Sequence, residues 1–266
     1  MTPSDASPLH RFESAAPYYL AGRPAYSPRL IRRVALLCGL TRTHRLMDLG
    51  CGPGPLAVAF APLVAEVLAI DPEAAMLRAG EAHAARAGVS VRFIRGSSQD
   101  LGPQLGTFRL VSIGRAFHWM DRVRTLEQLD ERVEPEGAIA LFGDRYPQLP
   151  ENAWHDSYRT LLEGYQVDDA GRAERRSPDW PGHDAVLLAS PFNCLERISV
   201  IERRQTPVET LVERAFSMSS TAPARLGAKA EELALRIRDL MRSHALEGHV
   251  SEVIEMEALI ARRAPR

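Results

Sequence analysis

Residues 46–57 read Leu-Met-Asp-Leu-Gly-Cys-Gly-Pro-Gly-Pro-Leu-Ala. Gly50, Gly52 and Gly54 stand at alternate positions, and Asp48 lies two residues before the first of them. Glycine lacks a Cβ, so such a run lets the main chain turn sharply and come close to a ligand. Residues 45–49 read as the end of a buried strand. Residues 55–64 read as a helix with Pro55 in its first turn, where a missing N–H costs nothing. A strand, a glycine turn and a helix start predict backbone N–H groups and a helix dipole facing the nucleoside end of a small cofactor. Asp71 follows Gly54 by 17 residues. That is near the spacing of about 20 for an acid that holds ribose hydroxyls. Two acceptor oxygens suit two adjacent hydroxyls. Asp71 can also cap the helix that Pro72 opens. His118 sits in Gly114-Arg115-Ala116-Phe117-His118-Trp119-Met120-Asp121. An imidazole with an unperturbed pKa near 6.5 suits proton transfer at neutral pH. A hydrogen-bonded wall residue is the other role open to it.

The spacing discriminates between cofactors. A phosphate-cradling loop needs Lys-Ser or Lys-Thr after its last glycine, and neither follows here. The dinucleotide fingerprint spaces its glycines G-x-G-x-x-G, whereas this chain has G-x-G-x-G. The pattern D-x-G-x-G-x-G resembles the first motif of the class I S-adenosylmethionine (SAM) dependent methyltransferases. A pyrophosphate wants bare amides and no nearby anion. SAM carries an ammonium and a sulfonium, so a carboxylate beside the glycines is favourable.

The resemblance covers residues 46–142 well, and residues 10–26 and the last strands more loosely. It implies a Rossmann-like, doubly wound α/β fold with a seven-stranded, mostly parallel sheet, an antiparallel last strand and helical insertions. It implies SAM as methyl donor. Carried over to this chain, Asp48 and Gly50 lie by the methionine portion and Gly52 and Gly54 beneath the sugar. Asp71 lies at the ribose, Ser98 and Gln99 at the adenine (a plain polar turn is the alternative), and Gly114 and Arg115 on the methionine side, with Cys51 and Pro72 as further cofactor contacts. Gln99 stands where the related families carry an acid. The segment Phe-His-Trp-x-Asp, and the earlier Tyr…Arg-Pro-x-Tyr, are similar to a small-molecule subset of the family. In that subset, residues 10–26 cap the cofactor cleft, which makes Tyr18, Tyr19, Arg23 and Tyr26 candidates for a lid. Tyr19, Tyr26, Trp119 and Trp154 are candidate acceptor contacts, and His118 the candidate base, with Asp121 or His155 able to serve or orient it. A helix docked on the domain flank is the plain alternative for residues 10–26. Aromatic side chains are also simply core more often than not.

The elements that must position these residues alternate. Strands are expected at 45–49, 66–70, 89–94, 108–113 and 137–142, with helices at 29–38, 55–64, 72–86 and 122–133. Alternation of this kind implies parallel pairing through right-handed crossovers. Ligands then bind outside the carboxyl ends of the strands, which is where His118 falls. After residue 145 the rhythm changes. Helices are expected at 154–165, 208–216 and 228–244, strands at 192–203 and 252–261, and a loop-rich insertion at 166–184. Residues 1–8 read as a frayed polar tail. The division expected is a cap with the first helix over 1–44, a SAM-binding core over 45–145, and substrate-covering helices with the last two strands over 146–266.

The composition is that of a globular chain of 266 residues, 45% hydrophobic, with net charge −1 and Lys229 as its one lysine. A near-zero charge argues against a nucleic-acid binder that relies on a basic face. Cys38, Cys51 and Cys194 are odd in number and scattered, which suggests a reducing compartment and no metal knuckle. No signal peptide and no apolar run of about 18 residues is visible. The expectation is a cytoplasmic enzyme acting on a small molecule, with no nucleic-acid or membrane partner. The competing assignments are a nucleic-acid or protein methyltransferase, an NAD-linked oxidoreductase, and a SAM-fold protein that does not methylate.

Overall fold

The computed structural model describes residues 13–166 and 177–264. The expected tail at 1–8 lies outside them, as do parts of the expected cap and insertion. The strands are β1 (Arg45–Leu49), β2 (Glu66–Asp71), β3 (Arg92–Arg95), β4 (Phe108–Gly114), β5 (Val133–Arg145), β6 (Cys194–Pro207), β7 (Ala245–Leu246) and β8 (His249–Arg262). The described helices are α1 (Ala16–Gly22), α2 (Pro28–Leu37), α3 (Pro55–Phe60), α4 (Ala74–Ala87), α5 (Arg122–Asp130), α6 (His155–Tyr165), α7 (His183–Leu188), α8 (Val208–Phe216), α9 (Pro223–Leu226) and α10 (Lys229–Met241). The sheet runs β3-β2-β1-β4-β5-β8-β6, with the short β7 paired to β8. β1 to β5 are parallel neighbours, and the C-terminal strands are antiparallel. This is the Rossmann-like order expected, with β7 as an additional two-residue strand.

The described residues form two compact units. The larger comprises residues 26–143, 177–200 and 256–264. Its strand order reverses direction between β1 and β4, so the loops after these two strands flank the topological switch point. β1 and β4 are buried almost throughout, as strands covered on both faces must be. Met47, Leu49, Leu68, Val111, Ile113, Ile139 and Leu141 form the heart of this core.

Several boundaries differ from expectation for local reasons. α3 stops at Phe60 and gives way to a short 3-10 turn, Ala61–Leu63, because Pro62 cannot donate within a continuing α-helix. α4 starts at Ala74, because the Asp71 carboxylate takes the Glu73 N–H at 2.9 Å and holds residues 72–73 outside the helix. β5 begins at Val133, well ahead of the expected strand, after α5 ends at Asp130. The register shifts between Phe108 and Leu110, and a Cβ on Gly137 would stand 2.9 Å from the Arg109 carbonyl. Glycine alone admits that approach. β3 starts at Arg92, and α7 was not expected.

The smaller unit comprises residues 13–25, 144–166 and 201–255. Its core gathers Trp154, Tyr158, Leu162, Leu211, Leu233, Ile237 and Met241. Trp154, expected as an acceptor contact, is 2% exposed and donates its indole N–H to the Ser251 carbonyl at 2.9 Å. It is a core residue, and the expectation is corrected. A buried ion pair crosses the unit. Arg214 donates to Glu252 at 2.9 and 3.2 Å, to the Tyr146 hydroxyl at 2.7 Å and to the Gly22 carbonyl at 3.2 Å. Thr206 donates to Glu252 at 2.6 Å. No described helix is long and apolar enough to cross a membrane.

Candidate active site

The three glycines of the loop after β1 all take left-handed angles, with φ of +67° at Gly50, +54° at Gly52 and +69° at Gly54. Side chains are excluded there twice over. A Cβ on Gly50 would stand 2.7 Å from the Ala116 methyl, and one on Gly54 would stand 3.1 Å from the Phe93 ring. The loop amides are spent inside the protein. Gly50 and Cys51 donate to the Ile70 carbonyl at 2.8 and 3.0 Å, and Gly54 to the Cys51 carbonyl at 3.0 Å. Gly52 donates to Asp71 Oδ2 at 2.8 Å. Pro53 and Pro55 have no N–H. The expected array of outward amides is therefore not what this loop offers. Its backbone is bent inward, and what surrounds it is carboxylate.

Asp48 is 1% exposed. It sits opposite Ser112 in the β1–β4 register and accepts from the Ser112 hydroxyl at 2.9 Å. Its other oxygen accepts from the Ala57 N–H at 3.0 Å, in the first turn of α3. Asp48 thus ties the start of α3 and β4 to β1. Burial pushes its carboxyl up to about 7, against the pull of the Ser112 and Ala57 hydrogen bonds. Asp71 is 8% exposed, and its two oxygens hold Gly52 and Glu73. Burial raises it too. A carboxylate has about four acceptor sites, so Asp71 retains capacity for hydroxyls. The Cys51 thiol is buried and pushed well up by desolvation, which leaves it a neutral filler of the bend.

Around this centre the other expected residues fall as follows. Pro72 follows Asp71 directly, at the end of β2. Ser98 and Gln99 lie on the turn after β3, which Asp100 folds by accepting from Ser97 N and Oγ at 2.7 and 2.8 Å. The Gln99 carbonyl lies 3.5 Å from Gln128 Nε2 of α5. Gly114 ends β4, and a Cβ there would stand 2.6 Å from the Tyr26 hydroxyl oxygen. Arg115 has φ of +55°, a strained angle for a residue with a Cβ, and its guanidinium lies 4.5 Å from the centre of the Tyr26 ring. Tyr26 in turn packs edge-on against Phe142. Tyr26 is thus a buried wall behind Gly114 and Arg115. His118 and Trp119 form a short turn just beyond, ring centres 4.8 Å apart, with Trp119 36% exposed. The His183 ring lies 6.5 Å from that of His118. His183 is pushed down by burial first and by Arg122 second. Tyr19 belongs to the smaller unit, where it lies beside Arg23.

Comparison with known proteins decides the family. The family described as the methyltransferase domain matches residues 46–137. The uncharacterized methyltransferase Rv3342 of Mycobacterium tuberculosis is 27% identical over 88% of this chain and 86% of its own. The uncharacterized methyltransferase Mb0092 of Mycobacterium bovis is 30% identical over 59% of this chain and 82% of its own. A SAM-dependent methyltransferase from Thiobacillus denitrificans, solved with S-adenosyl-L-homocysteine, shares the fold with a TM-score of 0.53 at 14% identity, over 98% of this chain and 100% of that one. The chain belongs to the class I SAM-dependent methyltransferases.

The residues of this methyltransferase fit SAM better than a dinucleotide. A pyrophosphate would meet a loop whose amides are already bonded, beside the buried acids Asp48, Asp71 and Glu73. A cationic nucleoside sulfonium meets the right sign of charge. Three contributors escaped the sequence. Ser112 holds Asp48 across β4, 64 residues away, and no spacing rule could pair them. Ala116 and Phe93 enforce Gly50 and Gly54 through packing alone.

Proposed function

We propose that this methyltransferase acts on a small-molecule acceptor in the cytoplasm, with His118 as the base for an acceptor that arrives protonated. The observation that carries this is the turn after β4. It puts a half-buried imidazole and a partly exposed indole beside the end of the strand that flanks the switch point. Bound SAM supplies a methyl group already activated on a sulfonium. The protein's share is orientation, which can be worth on the order of 7–11 kcal/mol at best. Asp71 would hold the ribose, Ser98 and Gln99 the adenine, and Gly114 and Arg115 the methionine side. Asp48 would act by fixing the loop. Trp119 would face the acceptor and Tyr26 would back it. The net charge of −1 supports a small acceptor over a nucleic acid. So does Arg115-Ala116-Phe117-His118, where base-modifying enzymes of this fold often carry Asn/Asp-Pro-Pro-aromatic. The free cysteines agree with a reducing compartment.

The test is transfer of labelled methyl from SAM in a screen of small molecules, RNA, DNA and proteins. Label is expected in the small-molecule fraction. His118→Ala should lower kcat roughly 10²-fold or more at pH 7, with SAM affinity kept. Label found only in nucleic acid or protein would contradict the proposal.

A further inference from the structure

The segment that leads into α7 closes onto the turn that carries His118. Arg122, the first residue of α5, donates through Nη1 to the Pro181 carbonyl at 2.7 Å and to His183 Nδ1 at 3.4 Å. Its guanidinium lies 3.8 Å from the centre of the Trp180 ring. Trp180 meets the His183 ring edge-on at 5.5 Å, and His183 meets Phe117 at 5.1 Å. The His183 and His118 ring centres are 6.5 Å apart, with planes 20° from parallel. All of these residues belong to the larger unit.

Arg122 fixes the tautomer of His183. A guanidinium only donates, so His183 Nδ1 accepts and the ring proton sits on Nε2. Burial first and Arg122 second disfavour a further proton, against a smaller pull from Asp184. Among the described residues, nothing accepts from that Nε2–H. The carboxylates beside it in the chain are used elsewhere. Asp184 pairs with Arg197 at 2.7 Å, and Asp121 caps α5 through the Arg124 N–H at 3.1 Å. A neutral donor thus stands next to the imidazole assigned as base. His118 suits the proton of a hydroxyl, and His183 suits a lone pair on the same oxygen. Each such bond spans about 2.7–3.2 Å, so one oxygen can bridge two rings at this separation. What surrounds the pair is aromatic, namely Phe117, Trp180 and the part-exposed Trp119. Ring surfaces of that kind favour another flat ring. We propose that His183 holds the acceptor oxygen of a hydroxylated aromatic ring beside His118. This rests on the small-molecule reading with His118 as base. His118 takes the hydroxyl proton, and His183 keeps its own and orients the oxygen.

The test reads the His183 ring nitrogens by magnetic resonance in the full chain labelled with nitrogen-15 histidine, assigned by their loss in His183→Phe. Without ligand, Nε2 should carry the proton and Nδ1 should be bare. Protein saturated with S-adenosylhomocysteine is then titrated with 2-naphthol, naphthalene and decahydro-2-naphthol (the same hydroxyl on a saturated, puckered frame). The Nε2 resonance should move with 2-naphthol, and 2-naphthol should bind threefold or more tighter than either analogue. His183→Phe keeps a flat ring and should lose the preference over naphthalene. His183→Gln keeps a donor and should retain part of it, with the circular dichroism of both variants unchanged. A proton on Nδ1, an imidazolium at pH 7, or a 2-naphthol that fails to bind, to move Nε2 or to outbind both analogues overturns the proposal. So does a preference that survives in His183→Phe. The expected response with methyl transfer only to nucleic acid or protein would leave the His183 site standing and remove the proposed function. Transfer to small molecules, with His183 unmoved by 2-naphthol, would do the reverse.

Discussion

Asp48 and Asp71 do different work, although both are buried acids beside the same glycines. Asp48 spends its oxygens on Ser112 and Ala57 and fixes where α3 starts. Asp71 spends one bond per oxygen on backbone amides and keeps acceptor capacity. Burial holds Asp48 up to about 7, above its ordinary value of 3.8. A raised acid favours the fold in its neutral form. Its contribution to stability is therefore full below pH 3.8 and is lost as pH rises through about 7. A cation at the loop favours the ionised form, so SAM binding should release a proton near neutral pH. SAM affinity should rise as pH increases through about 7. S-adenosylhomocysteine, which has no sulfonium, should show less of this, and Asp48→Asn should abolish it. Calorimetry in buffers of different ionisation enthalpy reads the proton directly. A pH-independent SAM affinity would count against this role for Asp48.

At the scale of elements, the segments that a local signal marks were legible, and those that distant packing sets were not. β1, the glycine turn and the start of α3 are written in the consecutive residues 45–57. The alternation through β4 gave the parallel order. The early start of β5 was hidden, because Pro135 and Gly137 look like breakers and Gly137 is there to admit the Arg109 carbonyl. Trp154 looked like a pocket wall, because composition does not say which of two cores an aromatic residue joins. The inward turn of the loop amides depends on the Ile70 carbonyl and Asp71 across the sheet. α1 is a further case of packing that no pattern announces. A Cβ on Gly22 would collide with the α8 backbone at Glu213 and Arg214. Gly22→Ala should destabilise the protein by about 1–3 kcal/mol in urea unfolding, the usual cost of overpacking. An unchanged midpoint would mean that α1 yields freely.

At the scale of the whole molecule, the chain weaves two compact units from three segments each, and each unit has its own apolar core. The smaller unit also carries the Arg214–Glu252 pair with its partners Tyr146, Thr206 and Gly22. Removing one member of such a pair leaves a buried charge unanswered. Glu252→Ala should cost about 3–5 kcal/mol, and Glu252→Leu combined with Arg214→Met should cost less than that. Urea unfolding of the three proteins decides it. The larger unit gathers its buried acids at a turn whose amides are already used, and that arrangement underlies the assignment of cofactor and site alike. The most direct measurement is calorimetric titration of SAM into the wild-type protein and Asp71→Ala. The variant should bind SAM more weakly by roughly 1–3 kcal/mol, the loss expected when a buried hydrogen-bond acceptor is removed. Equal affinity in the two proteins would contradict the account.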